Sequence, residues 1–295
     1  MPPDWLKKRL NLNGNVSEVK AVLARAGVNT VCEAALCPNL NECFSRMYAT
    51  FLILGDACTR RCSFCSVKSA LPGRIDTEEP EKIRRAAEDL KLRYVVITSV
   101  TRDDLRDGGA SQFARVTAVL KDMGPDMRVE VLVPDFKGIK KDIKKVVATR
   151  PDIFGHNIET AKRLYGKVRS GASYEKSLGV LRLAKQLSPE MITKSGIMVG
   201  LGESDTEVLD TMKDLREAGC DMLTIGQYLR PSPENIPVAR LVKPEEFAGY
   251  KDAGARLGFK HVAAGPFVRS SYHAEEAYRT IKEGYNERCE VAAIG

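Results

Sequence analysis

From about residue 48 the chain alternates short apolar runs, rich in β-branched residues, with longer amphipathic and charged segments. The short runs fall at 50–54, 94–98, 129–133, 153–157, 193–199 and 222–228 and read as buried strands. The segments between them, at 81–90, 112–123, 141–148, 174–187 and 206–218, repeat apolar residues three and four apart and read as helices. Strands joined by helices imply a parallel sheet with right-handed crossovers. The expected fold class is therefore α/β, a partial (β/α)6 TIM-type barrel, with an open doubly wound sheet as the alternative that the pattern leaves open. In either geometry the active site belongs at the C-terminal ends of the strands.

The flanks break this rhythm. Residues 1–47 offer a helix at 16–25 ended by Gly27, and after residue 240 a helix at 244–257 leads into a polar stretch from His261 to His273 and a charged, helical tail. Three segments are expected: an N-terminal extension at 1–47, a core at 48–240 and a C-terminal extension at 241–295. Apolar content of 43% and charged content of 29% are those of a soluble globular protein. No apolar run reaches the roughly 18 residues of a membrane span. The start, Met1-Pro-Pro-Asp-Trp5, has no apolar core of a secretory signal, so a cytoplasmic, monomeric protein is expected. The net charge of +7 suits an acidic protein partner or an anionic cofactor; the scattered basic residues do not suggest nucleic acid.

Cysteine changes the picture most. Of eight cysteines, six crowd into residues 32–65, which in a chain this long reads as metal binding in a reducing compartment. Cys58, Cys62 and Cys65 fall at C-x3-C-x2-C directly after the first strand, with Phe64 before the last. Three thiolates hold three corners of a [4Fe–4S] cube and leave one iron open, whereas an electron carrier closes all four corners. Upstream, Cys32, Cys37 and Cys43 form a second triplet at C-x4-C-x5-C, also one ligand short. Soft thiolates favour iron–sulfur chemistry; a zinc site would want a fourth Cys or His nearby, and buried structural cysteines are the bland alternative. Cys220 and Cys289 read as non-ligands.

The strand-end loops carry the polar residues expected at the mouth of such a fold. They include 99–109, 134–138, His156-Asn-Ile-Glu-Thr160, 200–203 and 226–231. Asn157 and Glu159 suit the amino or hydroxyl groups of a ligand, or simply cap a helix. Arg169 suits a carboxylate partner or solvent. His156, a lone strand-end histidine, fits a structural hydrogen bond better than a base. Gly200-Leu-Gly lacks the third glycine of a dinucleotide fingerprint.

The spacing of Cys58, Cys62 and Cys65 resembles the radical S-adenosylmethionine (SAM) superfamily. With the Cys32/Cys37/Cys43 triplet, Arg269-Ser-Ser-Tyr272, and the segments Thr98-Ser-Val-Thr-Arg-Asp-Asp-Leu105, His156-Asn-Ile-Glu-Thr160 and Thr193-Lys-Ser-Gly-Ile-Met198, nearly the whole chain is similar to the lipoyl synthase family. One departure is Thr101, where an acidic residue is expected. The resemblance implies two [4Fe–4S] clusters. The first, on Cys58, Cys62 and Cys65, reduces SAM to a 5′-deoxyadenosyl radical, with Phe64, Thr98, Asn157, Glu159 and Arg169 around the SAM. The auxiliary cluster, on Cys32, Cys37, Cys43 and Ser271, is sacrificed as the sulfur source. A serine oxygen is a poorer partner for iron than thiolate and should release more readily, although Ser270 and Ser271 alone would read as a helix cap. The implied reaction puts sulfur at C6 and C8 of an octanoyl-lysine, consuming two SAM. The implied partners are an octanoylated lipoyl carrier domain (glycine cleavage H protein or 2-oxoacid dehydrogenase E2), an electron donor such as flavodoxin or ferredoxin, and a cluster-repair protein. A biotin synthase-like or methylthio-transferring enzyme would lack the upstream triplet and the terminal motif, and a cluster carrier would need no six-unit core.

Overall fold

The structure, a computed structural model, describes residues 3–8 and 15–293, with side chains up to residue 283. The reading of Cys289 as a non-ligand lies outside the described side chains. All six expected strands form: β2 (Thr50–Ile53), β3 (Tyr94–Ser99), β4 (Arg128–Leu132), β5 (Ile153–Gly155), β6 (Ile192–Val199) and β7 (Met222–Gln227). They pair in parallel, in sequence order, so each neighbour is reached by one helical crossover. The α/β fold class holds.

The sheet is larger at both edges than the pattern predicts. A short strand β1 (Asn29–Thr30) pairs antiparallel with β2, and β8 (His261–Gly265) pairs in parallel with β7. The helix Pro244–Arg256 packs beside β8. The rhythm therefore runs one unit past residue 240, and the parallel array has seven strands rather than six. His261-Val-Ala-Ala-Gly265 has one β-branched residue and no long apolar run, so its strand character comes from pairing with β7 rather than from its own propensity. Among the described residues no pairing joins the two edges of the sheet.

Alternation along each strand separates two faces. Phe51, Ile53, Val95, Ile97, Val129 and Val131 are fully buried in one core, with the helices Glu79–Asp89 and Ala110–Lys121 contributing Ile83, Ala86, Phe113 and Val116 to it. On the opposite face Tyr94, Val96, Ile153, Ile192 and Met222 meet Ala274, Ala277, Tyr278 and Ile281 of the C-terminal helix Ala274–Ala293. One face of the tail is thus packed against the sheet. Polar residues occupy the same face. Lys194 and Glu130, 4% and 3% exposed, pair at 2.7 Å, and Tyr94 donates to the second Glu130 oxygen at 2.6 Å. A buried pair of this kind is tolerated because both carboxylate oxygens are satisfied. Further toward the strand C-termini, Thr50, Leu52, Thr98, Leu132, Gly196, Met198, Thr224 and Gly226 of β2, β3, β4, β6 and β7 line a single cavity. The sheet therefore curves around that cavity.

Candidate active site

The cavity measures about 470 Å³ and opens where strand-end chemistry is expected. Cys58, Cys62, Cys65, Phe64, Thr98, Asn157, Glu159 and Arg169 all line it, together with Cys32, Cys37 and Ser271. A second cavity of about 50 Å³ is lined by Cys32, Cys37, Cys43 and Ser271. Cys43 borders only this smaller space. Five residues line both: Cys32, Cys37, Thr50, Arg269 and Ser271. Every residue expected at a cofactor therefore borders one cavity or the other.

The loop of the first triplet is held by residues that the spacing alone did not reveal. Ala57–Cys58 pairs with Lys68–Ser69, pinning the two ends of the loop together. Arg60, in its middle, forks onto two carboxylates from two strand-end loops: Asp103 at 2.7 and 3.0 Å and Asp135 at 2.9 and 2.8 Å. Burial pushes the Asp135 carboxyl up, but the Arg60 guanidinium overcomes this and holds it at about 2. The Cys58 Sγ accepts from the backbone N–H of Arg60 at 3.4 Å and of Thr101 at 3.3 Å. Thr101 thus serves the loop through its peptide, and its side chain makes no difference to that contact. Asn235, from the Pro-rich stretch after β7, donates to the carbonyls of Ser63 and Cys65. Nothing in the sequence of 231–235 points to the cysteines.

Across the cavity, Asn157 donates to the Ser270 hydroxyl at 2.6 Å, while its own Oδ1 is buried with no partner among the described residues. An orphaned acceptor in a cavity wall is an unmet demand for a donor. Glu159 follows in a left-handed conformation (φ +70°), with its peptide bonded to the edge of β6 through Gly196 and Met198. Burial raises its pKa, and Arg169 works against that. Arg169 donates to the Asn157 carbonyl at 2.6 Å and the Tyr165 hydroxyl at 2.7 Å. It therefore holds the Asn157–Glu159 turn as well as facing the cavity. His156 is fully buried and does not line the cavity; its Nδ1–H donates to the Val133 carbonyl at 2.8 Å, and burial drives its pKa down to about 3. It is a neutral structural residue, as its lone strand-end position suggests.

The second triplet is built differently. Thr30 caps the turn Val31–Ala34 that carries Cys32, and the helix Leu40–Ser45 carries Cys43. Burial pushes Cys32 to about 11 and Cys43 to about 12, so both are neutral thiols until a metal displaces their protons. Cys62 and Cys65 are likewise raised by burial, to about 11 and 12. The Arg269-Ser-Ser-Tyr272 stretch reaches this site because β6 and β7 carry glycines beneath it. A Cβ on Gly226 would stand 2.1 Å from the Val268 carbonyl, and one on Gly196 would stand 3.1 Å from the Ser270 hydroxyl. Neighbouring contacts seat the stretch. The Asn39 side chain donates to the Phe267 carbonyl at 2.7 Å, Tyr272 donates to Glu42 at 2.9 Å, and Lys8 pairs with Glu42 at 2.6 Å.

Among the described residues no three His, Cys, Asp or Glu side chains close on a single-ion position. The thiols border open volume instead, and a donor set of buried thiols plus one hydroxyl suits a soft, multi-iron group. The residues fit the two clusters and the SAM expected of them.

The radical SAM superfamily model matches residues 52–226, a span that includes Cys58–Cys65 and stops short of both flanks. The chain is 53% identical to a lipoyl synthase of Caldicellulosiruptor saccharolyticus over 95% of its length and 98% of that protein's. It is 54% identical to one of Caldanaerobacter subterraneus, covering 92% and 95%, and 50% identical to one of Pseudomonas fluorescens, covering 95% and 82%. Among solved structures, HydG, a maturase of the [FeFe]-hydrogenase, superposes with a TM-score of 0.55 at 16% identity, covering 84% of this chain and 62% of that one. Streptococcus suis SuiB gives 0.55 at 10%, covering 86% and 55%. Both share the fold.

Proposed function

The chain belongs to the lipoyl synthase family of radical SAM enzymes, and from that premise we propose that it inserts sulfur at C6 and C8 of an octanoyl group carried on a lysine. The observation that carries this is the shared wall. Cys32, Cys37, Thr50, Arg269 and Ser271 border both cavities, so a substrate carbon in the larger one lies beside the smaller.

In this reading Cys58, Cys62 and Cys65 hold one [4Fe–4S] cluster, and Cys32, Cys37, Cys43 and Ser271 hold the auxiliary one. When bound, the first cluster with SAM supplies one-electron chemistry that removes hydrogen from an unactivated methylene, and the auxiliary cluster supplies sulfur. The chain's own residues bind, orient and exclude water. The unpaired Asn157 Oδ1 and the Glu159 carboxylate offer acceptors to SAM's ammonium or hydroxyl groups. Arg169 fixes the turn that presents them. Phe64 and Thr98 complete the SAM side. Leu52, Leu132, Ile197 and Met198 give the cavity an apolar lining that suits an alkyl chain and keeps water from the reacting carbon.

The macromolecular substrate is an octanoylated lipoyl carrier domain, of the glycine cleavage H protein or a 2-oxoacid dehydrogenase E2. A flavodoxin or ferredoxin delivers the electron, and a cluster-repair protein rebuilds the auxiliary site. The enzyme works as a cytoplasmic monomer; no described helix is long and apolar enough to cross a membrane. Functionally the chain divides at 47 and 240, with 1–47 and 241–295 supplying the auxiliary ligands to the 48–240 core. Anaerobic incubation with dithionite, SAM and an octanoylated carrier peptide should yield 5′-deoxyadenosine and a peptide heavier by two sulfurs. A peptide of unchanged mass would refute the reading.

A further inference from the structure

Arg269 stands in the wall between the cavities and lines both. Its Nη1 donates to the carbonyls of Val268 at 2.7 Å and Pro266 at 3.4 Å. Those bonds satisfy protons but bring no negative charge. Arg60, which also lines the larger cavity, has two carboxylates; among the described residues Arg269 has no carboxylate partner. Its seat is specific, since a Cβ on Gly226 would press to 3.1 Å from its Nη1. A cation partly withdrawn from water without a counter-ion costs free energy, and the cost disappears when an anion arrives beside it.

We propose that Arg269 is the counter-charge of the auxiliary cluster, offsetting the negative charge that Cys32, Cys37 and Cys43 acquire when iron displaces their protons. This rests on the reading above that those cysteines hold a cluster. Arg269 is then a positioning residue with an electrostatic role. It is poorly satisfied in the cluster-free chain and well satisfied in the loaded one, and its attraction to the cluster draws the loop carrying Ser271 onto the site. Removing its positive charge should destabilise the more negative, reduced state of the cluster and move its potential downward.

The test compares wild type, Arg269→Met and Arg269→Lys, each as cluster-free protein and after anaerobic reconstitution. Cluster-free R269M should melt no lower than wild type. Reconstituted R269M should lose auxiliary iron to a chelator about tenfold faster, as expected for a lost charge-assisted contact, and its auxiliary cluster should titrate at a more negative potential by electron paramagnetic resonance. R269K, which keeps the charge, should hold a potential close to wild type. If R269M instead melts lower without iron while keeping wild-type iron retention and potential, Arg269 is a packing residue and the proposal fails. The triple variant C32A/C37A/C43A separates the two claims. If it keeps all the iron of wild type, the cluster reading itself is wrong. If it loses that iron while R269M behaves as wild type, the counter-charge alone is wrong.

Discussion

The Thr50 hydroxyl donates a 2.9 Å hydrogen bond to the Ser271 hydroxyl, joining the first parallel strand to a residue 221 positions later. Thr50 lies on the cavity face of β2 and also borders Cys32 and Cys37 in the smaller cavity. The bond fixes Ser271, the proposed fourth ligand, against the strand that leads into the first cysteine loop. Thr50→Val keeps the shape and removes the donor, so it should cost about 1 kcal/mol of stability. It should also shorten the lifetime of the auxiliary cluster in a chelator challenge. An unchanged lifetime would show that the Thr50 hydroxyl does not seat Ser271.

Ser271→Ala removes the proposed oxygen ligand while leaving Cys58, Cys62 and Cys65 untouched. SAM cleavage, followed as 5′-deoxyadenosine, should persist, and sulfur gain on an octanoylated peptide should fall at least about tenfold, the scale of losing one polar contact to a charged group. Full sulfur transfer by S271A would remove Ser271 from the ligand set.

Gly226→Ala tests the cradle. The added Cβ would meet the Val268 carbonyl at 2.1 Å, and that atom is backbone and has little room to yield. The 268–271 stretch must lift, at about 1–3 kcal/mol for overpacking. Iron analysis should show loss of the auxiliary cluster with the first cluster kept. A G226A protein with its full iron content would mean that the stretch seats without that close approach.

The Arg60–Asp135 pair predicts an acid limb in stability. The folded pKa of Asp135, about 2, lies below the unfolded value near 3.9. Its contribution is therefore complete above about pH 5 and is lost as pH falls toward and through 2. The difference corresponds to about 2.6 kcal/mol. Asp135→Asn should lower the stability of the cluster-free protein at pH 7 by about that amount and flatten its decline between pH 5 and 2. Urea unfolding across that range checks both, and a variant with the wild-type acid limb would contradict the linkage.

How much of this was legible in the sequence depends on where the information lies. The six strands declared themselves through β-branched runs. The two triplets stand out through their spacing, and the cysteines of the first line the cavity at the strand ends. β8 was hidden because Ala263, Ala264 and Gly265 have little strand propensity, and its register is supplied by β7. The packing of the C-terminal helix was hidden because Ala274, Ala277, Tyr278 and Ile281 form a modest apolar face on a highly charged helix. Arg60, Asp103 and Asp135 come from three different loops, so no local pattern joins them. Thr101 shows the opposite error, because the sequence drew attention to its side chain while its peptide makes the contact with Cys58.

The central claim is that Cys32, Cys37, Cys43 and Ser271 hold a second cluster beside the one on Cys58, Cys62 and Cys65. Iron and sulfide per chain after anaerobic reconstitution test it most directly. Wild type should bind about eight of each, two [4Fe–4S] cubes, and C32A/C37A/C43A about four, with SAM cleavage retained. Equal iron in the two proteins, or about four in wild type, would contradict the account.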